Sequence, residues 1–184
     1  MKDFDRVHPD DGLIEGVVPM TAALYAKVHR VATGEIEDLG CVCRKIVSNA
    51  FKQVLTNVMK ATAADVTRIQ NYKYHEWGTS ATAEAATQSG CLATGATTVA
   101  IVNGGGSLDV GTQVAAATTY TSVATLTSSA GIVITEHCIH PTDVCATGLV
   151  TDVYGLDRSL LSSAITLGSG DSITFTYVLS ISGT

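Results

Sequence analysis

The chain has 184 residues with a formal net charge of −6, and only 15% of its residues are charged. That length accommodates one domain with a real core, or one domain plus an arm. The acidic balance argues against nucleic acid as the main partner, because phosphate binding needs clustered base, and no apolar run reaches the roughly 18 residues of a membrane-spanning helix.

Residues 1–33 differ in character from the rest of the chain. Pro9, Pro19, the Asp10-Asp11 pair and glycines at 12 and 16 break up the segment, and Leu13, Ile14, Val17, Val18 and Met20 are too sparse for a core of their own. The segment reads as an extended arm whose apolar residues pack on a partner; a locally packed or disordered tail is the alternative. Ala22, Leu24, Ala26 and Lys27 are good helix formers and suggest a short helix over residues 21–31. The first twelve residues are acidic and polar, without the basic start and apolar stretch of a secretory signal, so synthesis and folding in a cytosol are expected.

The second unit spans residues 34–184. Residues 39–47 are β-prone, and Ser48 or Asn49 can cap an amphipathic helix near 49–61, with Phe51, Val54, Leu55, Val58 and Met59 at helical spacing. A single helix over residues 35–60 fits the same apolar stripe. Residues 66–74 alternate as a strand would. Residues 78–111 are rich in Ala, Thr, Ser and Gly and read as long surface loops around one short strand near 99–102.

The charge distribution then becomes lopsided. Ten of the eleven Lys and Arg residues lie within residues 1–73, leaving Arg158 as the only later base against eight acids. Free soluble surfaces usually carry about 25–35% charged residues, so this half is expected to be covered by neighbours. Its strand-like runs are 114–127, 131–139, 158–167 and 172–181, and Gly168-Ser169-Gly170-Asp171 between the last two is a hairpin signal. Together these predict a mainly β domain, a β-sandwich or jelly-roll with one short amphipathic helix and an N-terminal arm.

Chemistry-bearing patterns are weak. Gly104-Gly105-Gly106 lacks the Lys-Ser/Thr of a phosphate loop, and no Gly-x-Ser-x-Gly elbow occurs. Glu136 and His137, adjacent on a strand, point to opposite faces, one into the domain and the other toward a loop or partner. His75-Glu76-Trp77 reads as a turn anchor after a strand, and Trp77 as a core anchor or interface hot spot. Five cysteines, at 41, 43, 91, 138 and 145, read as reduced thiols and small buried hydrophobes. A zinc set would combine Cys138, His140 and Cys145 with His137 or the Cys41/Cys43 pair. The paired knuckle spacing is missing, so no metal or cofactor and no catalytic residue is assigned.

Three stretches carry a resemblance: NYKYHEWGTSATAEAA at 71–86, GTQVAAATTYTSVATLTSSAGIVITEHCIH at 111–140 and LDRSLLSSAITLGSGDSITFTYVLSIS at 156–182. In this order they resemble a family of virion structural proteins of tailed bacteriophages. GEIEDLGCVCRKIVSNAF at 34–51 is similar to that family's strand-then-helix opening. The ITEHCIH segment with the closing GDSITFTY strand also resembles β-rich modules of tail-collar and fibre proteins, although Cys138, Ile139 and His140 stand where those modules carry Gly and an aromatic. The resemblance implies a virion protein assembled in the host cytoplasm, without catalytic residues. The expected function is a capsid decoration or cement protein that binds the major capsid protein and itself as a trimer or dimer. The expected contacts are Leu13, Ile14, Val17, Val18, Met20 and Trp77. A neck, tail or fibre component is the alternative, and a glycan hydrolase, which needs paired carboxylates in a cleft, is the third class.

Overall fold

The computed structural model describes residues 20–60, 63–88, 90–92, 109–110, 112–116, 118–141 and 154–181. It is mainly β, with two antiparallel sheets and two short helices, as a β-sandwich-like domain requires. The strands are β1 (Met20–Arg30), β2 (Glu35–Val47), β3 (Tyr74–Gly78), β4 (Asp109–Val110), β5 (Thr112–Ala116), β6 (Thr119–Thr127), β7 (Ile132–His140), β8 (Asp157–Leu167) and β9 (Ser172–Ile181), and the helices are α1 (Asn49–Val58) and α2 (Ala63–Ile69). The order is β4-β3-β7-β8-β2-β1-β9-β6-β5. Strand β2 belongs to both sheets: it pairs with β1 along most of its length and with β8 at its end, where Val47 faces Asp157. One strand switching sheets in this way forms a sandwich corner.

Residues 20–30 are not a helix and do not extend as an arm. They form a strand paired on both sides, with β2 and with β9. Ala22, Leu24, Ala26 and Val28 alternate inward with exposed Thr21, Tyr25, Lys27 and His29. Helix propensity differs by less than about 1 kcal/mol per residue, and two flanking ladders with a buried apolar row override it. Residues 1–19 lie outside the described residues.

The strand-then-helix reading of residues 39–58 holds. Ser48 caps α1, its Oγ accepting from the Phe51 N–H at 3.0 Å and donating to the Gly155 carbonyl at 2.6 Å. Residues 63–69 form a helix, which replaces the first part of the strand expected over 66–74. Asp65 in its first turn bridges Arg68 at 2.7 Å, and the Arg68 guanidinium lies 3.8 Å over the Tyr154 ring. Val66 and Ile69, three apart, turn to one side of this helix, whereas in a strand they would face opposite ways.

The run at 114–127 divides into β5 and β6, while β7, β8 and β9 fall on the expected stretches. The strand expected near 99–102 lies outside the described residues. Gly168–Asp171 is not a hairpin: β8 pairs with β7 and β2, and β9 with β1 and β6, so the turn carries the chain from one sheet to the other. Gly170 takes φ 85° there, and its N–H bonds Ser128 O at 2.7 Å in the other inter-sheet turn. Asp171 holds the junction, accepting from the N–H groups of Gly168 (2.9 Å) and Val31 (3.0 Å) and from Arg30 (3.1 Å). Those backbone hydrogen bonds, with Arg30 beside them, hold its carboxyl below the ordinary range.

Between the sheets lies one apolar core, including Leu24, Val28, Phe51, Val54, Leu126, Ile134, Ile165, Ile173 and Phe175. A register shift between Ile134 and Glu136 reverses the alternation of β7. Ile134 before it and His137 and Ile139 after it are all buried on the core side.

Candidate functional site

Strands β3, β7 and β8 carry polar side chains on both faces. The registers Glu76–Cys138–Arg158 and Trp77–His137–Ser159 set the two layers, since partners directly opposite share a face.

On the core face, His75 Nδ1 lies 3.0 Å from His137 Nε2, and His75 Nε2 lies 2.8 Å from Ser122 Oγ on β6. This chain of hydrogen bonds ties the two sheets. His137 packs 4.8 Å from the Phe175 ring centre, and Trp77 packs 5.6 Å from the same ring. Burial pushes the Tyr177 hydroxyl well above its ordinary pKa, and Asp157, its hydrogen-bond partner across the sandwich, adds to the shift. The Ser122–His75–His137 order is that of an activated nucleophile, but Ser122 has no exposed surface and cannot meet a substrate in this arrangement.

The outer face carries the Glu136–Arg158 ion pair and the Glu76–His140 hydrogen bond, both at 2.7 Å and without solvent contact. They are covered by residues 79–88 and 90–92, which the sequence suggested were surface loops. The Ser80 and Leu92 N–H groups donate to Glu136, and the Cys91 N–H to Glu76. Arg158 reaches the Gln88 side chain (2.8 Å) and Thr82 O (2.9 Å). Glu84 accepts from the Leu160 N–H. Burial pushes the Glu136 carboxyl up, against the opposing pull of the Leu92 N–H and Arg158. Gly78 is required here, because a Cβ at that position would collide with the Glu136 carboxylate.

Cys91 is joined to Cys138 by a disulfide, correcting the expectation of reduced thiols there. The crosslink fastens the cover to β7, and the loop-entropy model assigns a bridge of 47 residues' separation about 4 kcal/mol. Cys41 and Cys43 remain thiols, and Cys145 lies outside the described residues.

The opposite-face reading of Glu136 and His137 matches the structure: His137 hydrogen-bonds inside the domain, and Glu136 meets the covering segment. His75-Glu76-Trp77 is corrected, being the middle of β3 rather than a turn anchor. Trp77 is completely buried and serves the core, so it offers no contact area to a partner. Met20 is half-buried at the start of β1, and Leu13, Ile14, Val17 and Val18 lie outside the described residues. Sequence reasoning missed Glu76, His140 and Arg158 as a group. The signal available was Arg158 as the only base after residue 73, which a buried carboxylate partner would explain.

The outward face of β1, β9 and β6 is of another kind. It presents Thr21, Ala23, Tyr25, Lys27 and His29 from β1, and Ser172, Thr174, Thr176, Val178 and Ser180 from β9. From β6 come Thr119, Thr121, Val123, Thr125 and Thr127. Lys27 and His29 are the basic side chains in that set, and Lys27 pairs with Asp38 on β2 at 2.9 Å. Thr125 and Thr174 hydroxyls meet across the strands at 2.7 Å. Tyr25 on this face and Ile36 on the adjoining β2 are exposed large apolar residues. No family model, no curated protein and no solved structure matches the chain.

Proposed function

We propose that this chain is a structural protein of a phage virion, a decoration or cement protein that adheres to the major capsid protein shell. The observation that carries the reading is the outward face of β1, β9 and β6, a surface mainly of Thr, Ser, Val and Ala. It holds one lysine and has a charged rim at Asp38 and Arg44 of β2. A charge-depleted centre with a polar rim is how partner-covered surfaces are composed. An interface of ordinary size buries about 1,600 Å² in total, which a three-strand face can supply a large part of. The resemblance of residues 71–86, 111–140 and 156–182 to tailed-phage virion proteins supports the same reading.

Cement acts by adding contact area between capsomers, so burial of neutral surface is its mechanism and a reactive cleft is not needed. The test mixes purified protein with undecorated heads. Binding at a fixed stoichiometry is expected, with loss of binding in the folded variant Thr176→Glu. A protein that ignores heads but is present in a dozen copies or fewer at the tail would instead be a neck or fibre component.

A further inference from the structure

We propose that, once Cys91 and Cys138 are reduced, they form with Glu76 and His140 a tetrahedral site for a Zn²⁺ ion. The Cys91 and Cys138 sulfurs and a Glu76 carboxylate oxygen lie within 4.8 Å of one another. His140 Nε2 lies 2.7 Å from Glu76 Oε2. All four side chains project from the same side of the sheet or from its cover. Glu76 stands opposite Cys138, His140 lies two residues beyond Cys138 along β7, and Cys91 comes down from the segment that closes the face. Zinc bonds of about 2.0–2.3 Å place tetrahedral ligand atoms about 3.3–3.8 Å apart, so the two sulfurs part on reduction and the His140 imidazole, which touches Glu76 but lies outside that three-residue cluster, turns toward them to close the set.

A second observation points to a ligand independently. Glu76 Oε1 and His140 Nδ1 are buried and make no hydrogen bond among the described residues. An idle carboxylate oxygen sealed from water is costly, and a cation would satisfy it. Gly90 leaves the space beside the imidazole open, since a Cβ there would stand 3.1 Å from His140 Cε1.

A dithiol reductant converts the Cys91–Cys138 bond to two thiols and becomes the new disulfide itself, so electrons balance. Zn²⁺ then displaces one proton from each thiol into solvent. Two thiolates, the Glu76 carboxylate and neutral His140 leave the site with a net charge of −1. The same two sulfurs therefore close the cover in either redox state, by a covalent bond when oxidised and by a metal when reduced.

The test uses the full chain, reduced with a phosphine and stripped of metal, and titrated with Co²⁺ and then Zn²⁺. The expected result is one Co²⁺ per chain. It should show a near-ultraviolet thiolate-to-cobalt band and the strong visible bands of four-coordinate cobalt, bleached by Zn²⁺. Cys91→Ser and Cys138→Ser should each weaken the thiolate band, and the Cys91→Ser/Cys138→Ser double variant should lose it. His140→Gln should weaken binding about tenfold or more, and a Cys41→Ser/Cys43→Ser double variant should bind as wild type does. Zn²⁺ should also raise the melting temperature of the reduced wild-type chain, a readout independent of any variant. A pale six-coordinate spectrum, a thiolate band that survives in the Cys91→Ser/Cys138→Ser double variant or in the oxidised protein, or no thermal shift would overturn the assignment.

Discussion

The two outward sheet faces treat charge in opposite ways. On β3, β7 and β8 the face holds the Glu136–Arg158 ion pair and the Glu76–His140 hydrogen bond, and residues 79–88 and 90–92 of the same chain cover it with backbone donors matched to each carboxylate. On β1, β9 and β6 the face is nearly free of ions and the described chain leaves it open. A buried charge is tolerated only where partners are fixed around it, and here a disulfide and several N–H groups fix them. A face awaiting a separate partner gains from carrying little charge, because desolvating ions at assembly is costly. The contrast therefore separates a surface the fold closes by itself from one that the proposed assembly would close.

The largest break in this contrast comes from Glu136→Gln. It leaves the Arg158 guanidinium buried without its counter-charge, and unfolding in denaturant should show a loss of about 3–5 kcal/mol. Gly78→Ala is next. The new methyl group must displace the Glu136 carboxylate, and calorimetry should register about 1–3 kcal/mol of destabilisation.

A smaller effect lies at the junction between the sheets. Asp171 has its pKa depressed by the fold, so its contribution is present above the unfolded carboxylate value and disappears as pH falls through the folded one. Asp171→Asn should melt below wild type at neutral pH, and the two melting curves should converge below about pH 4. Parallel curves down to the lowest pH would remove Asp171 from that role. Glu136 has the opposite sign: between its unfolded and raised folded values, its contribution to stability falls as pH rises.

The smallest effect should come from the neutral face. Thr176→Glu is expected to shift stability by no more than about 0.5 kcal/mol in the isolated chain. Paired with loss of head binding, that would separate the two faces cleanly. A large loss of stability would show instead that this face is needed by the fold alone.

Several elements were legible in the residues. The alternation of Ile173, Phe175, Tyr177, Leu179 and Ile181 gave β9 with its boundaries, and the Ser48-Asn49 pair marked the start of α1. Residues 20–30 were not, because Ala, Leu and Lys suit either element until β2 and β9 pair with the segment. The Gly168–Asp171 turn had hairpin composition, but composition does not record which sheet the next strand joins. Of the buried polar group, the opposite facing of Glu136 and His137 was legible from the two-residue period of a strand. Its partners were not, since Arg158, Leu92 and Ser80 lie far from Glu136 in sequence.

By itself the sequence determined what local periodicity and composition can specify: a mainly β domain, one capped helix, and a C-terminal half nearly devoid of base. Tertiary structure alone decided which ions are buried, which cysteines meet, and which face stays open. Those depend on strand register and on a covering segment, and contacts across tens of residues leave no period in the chain to read.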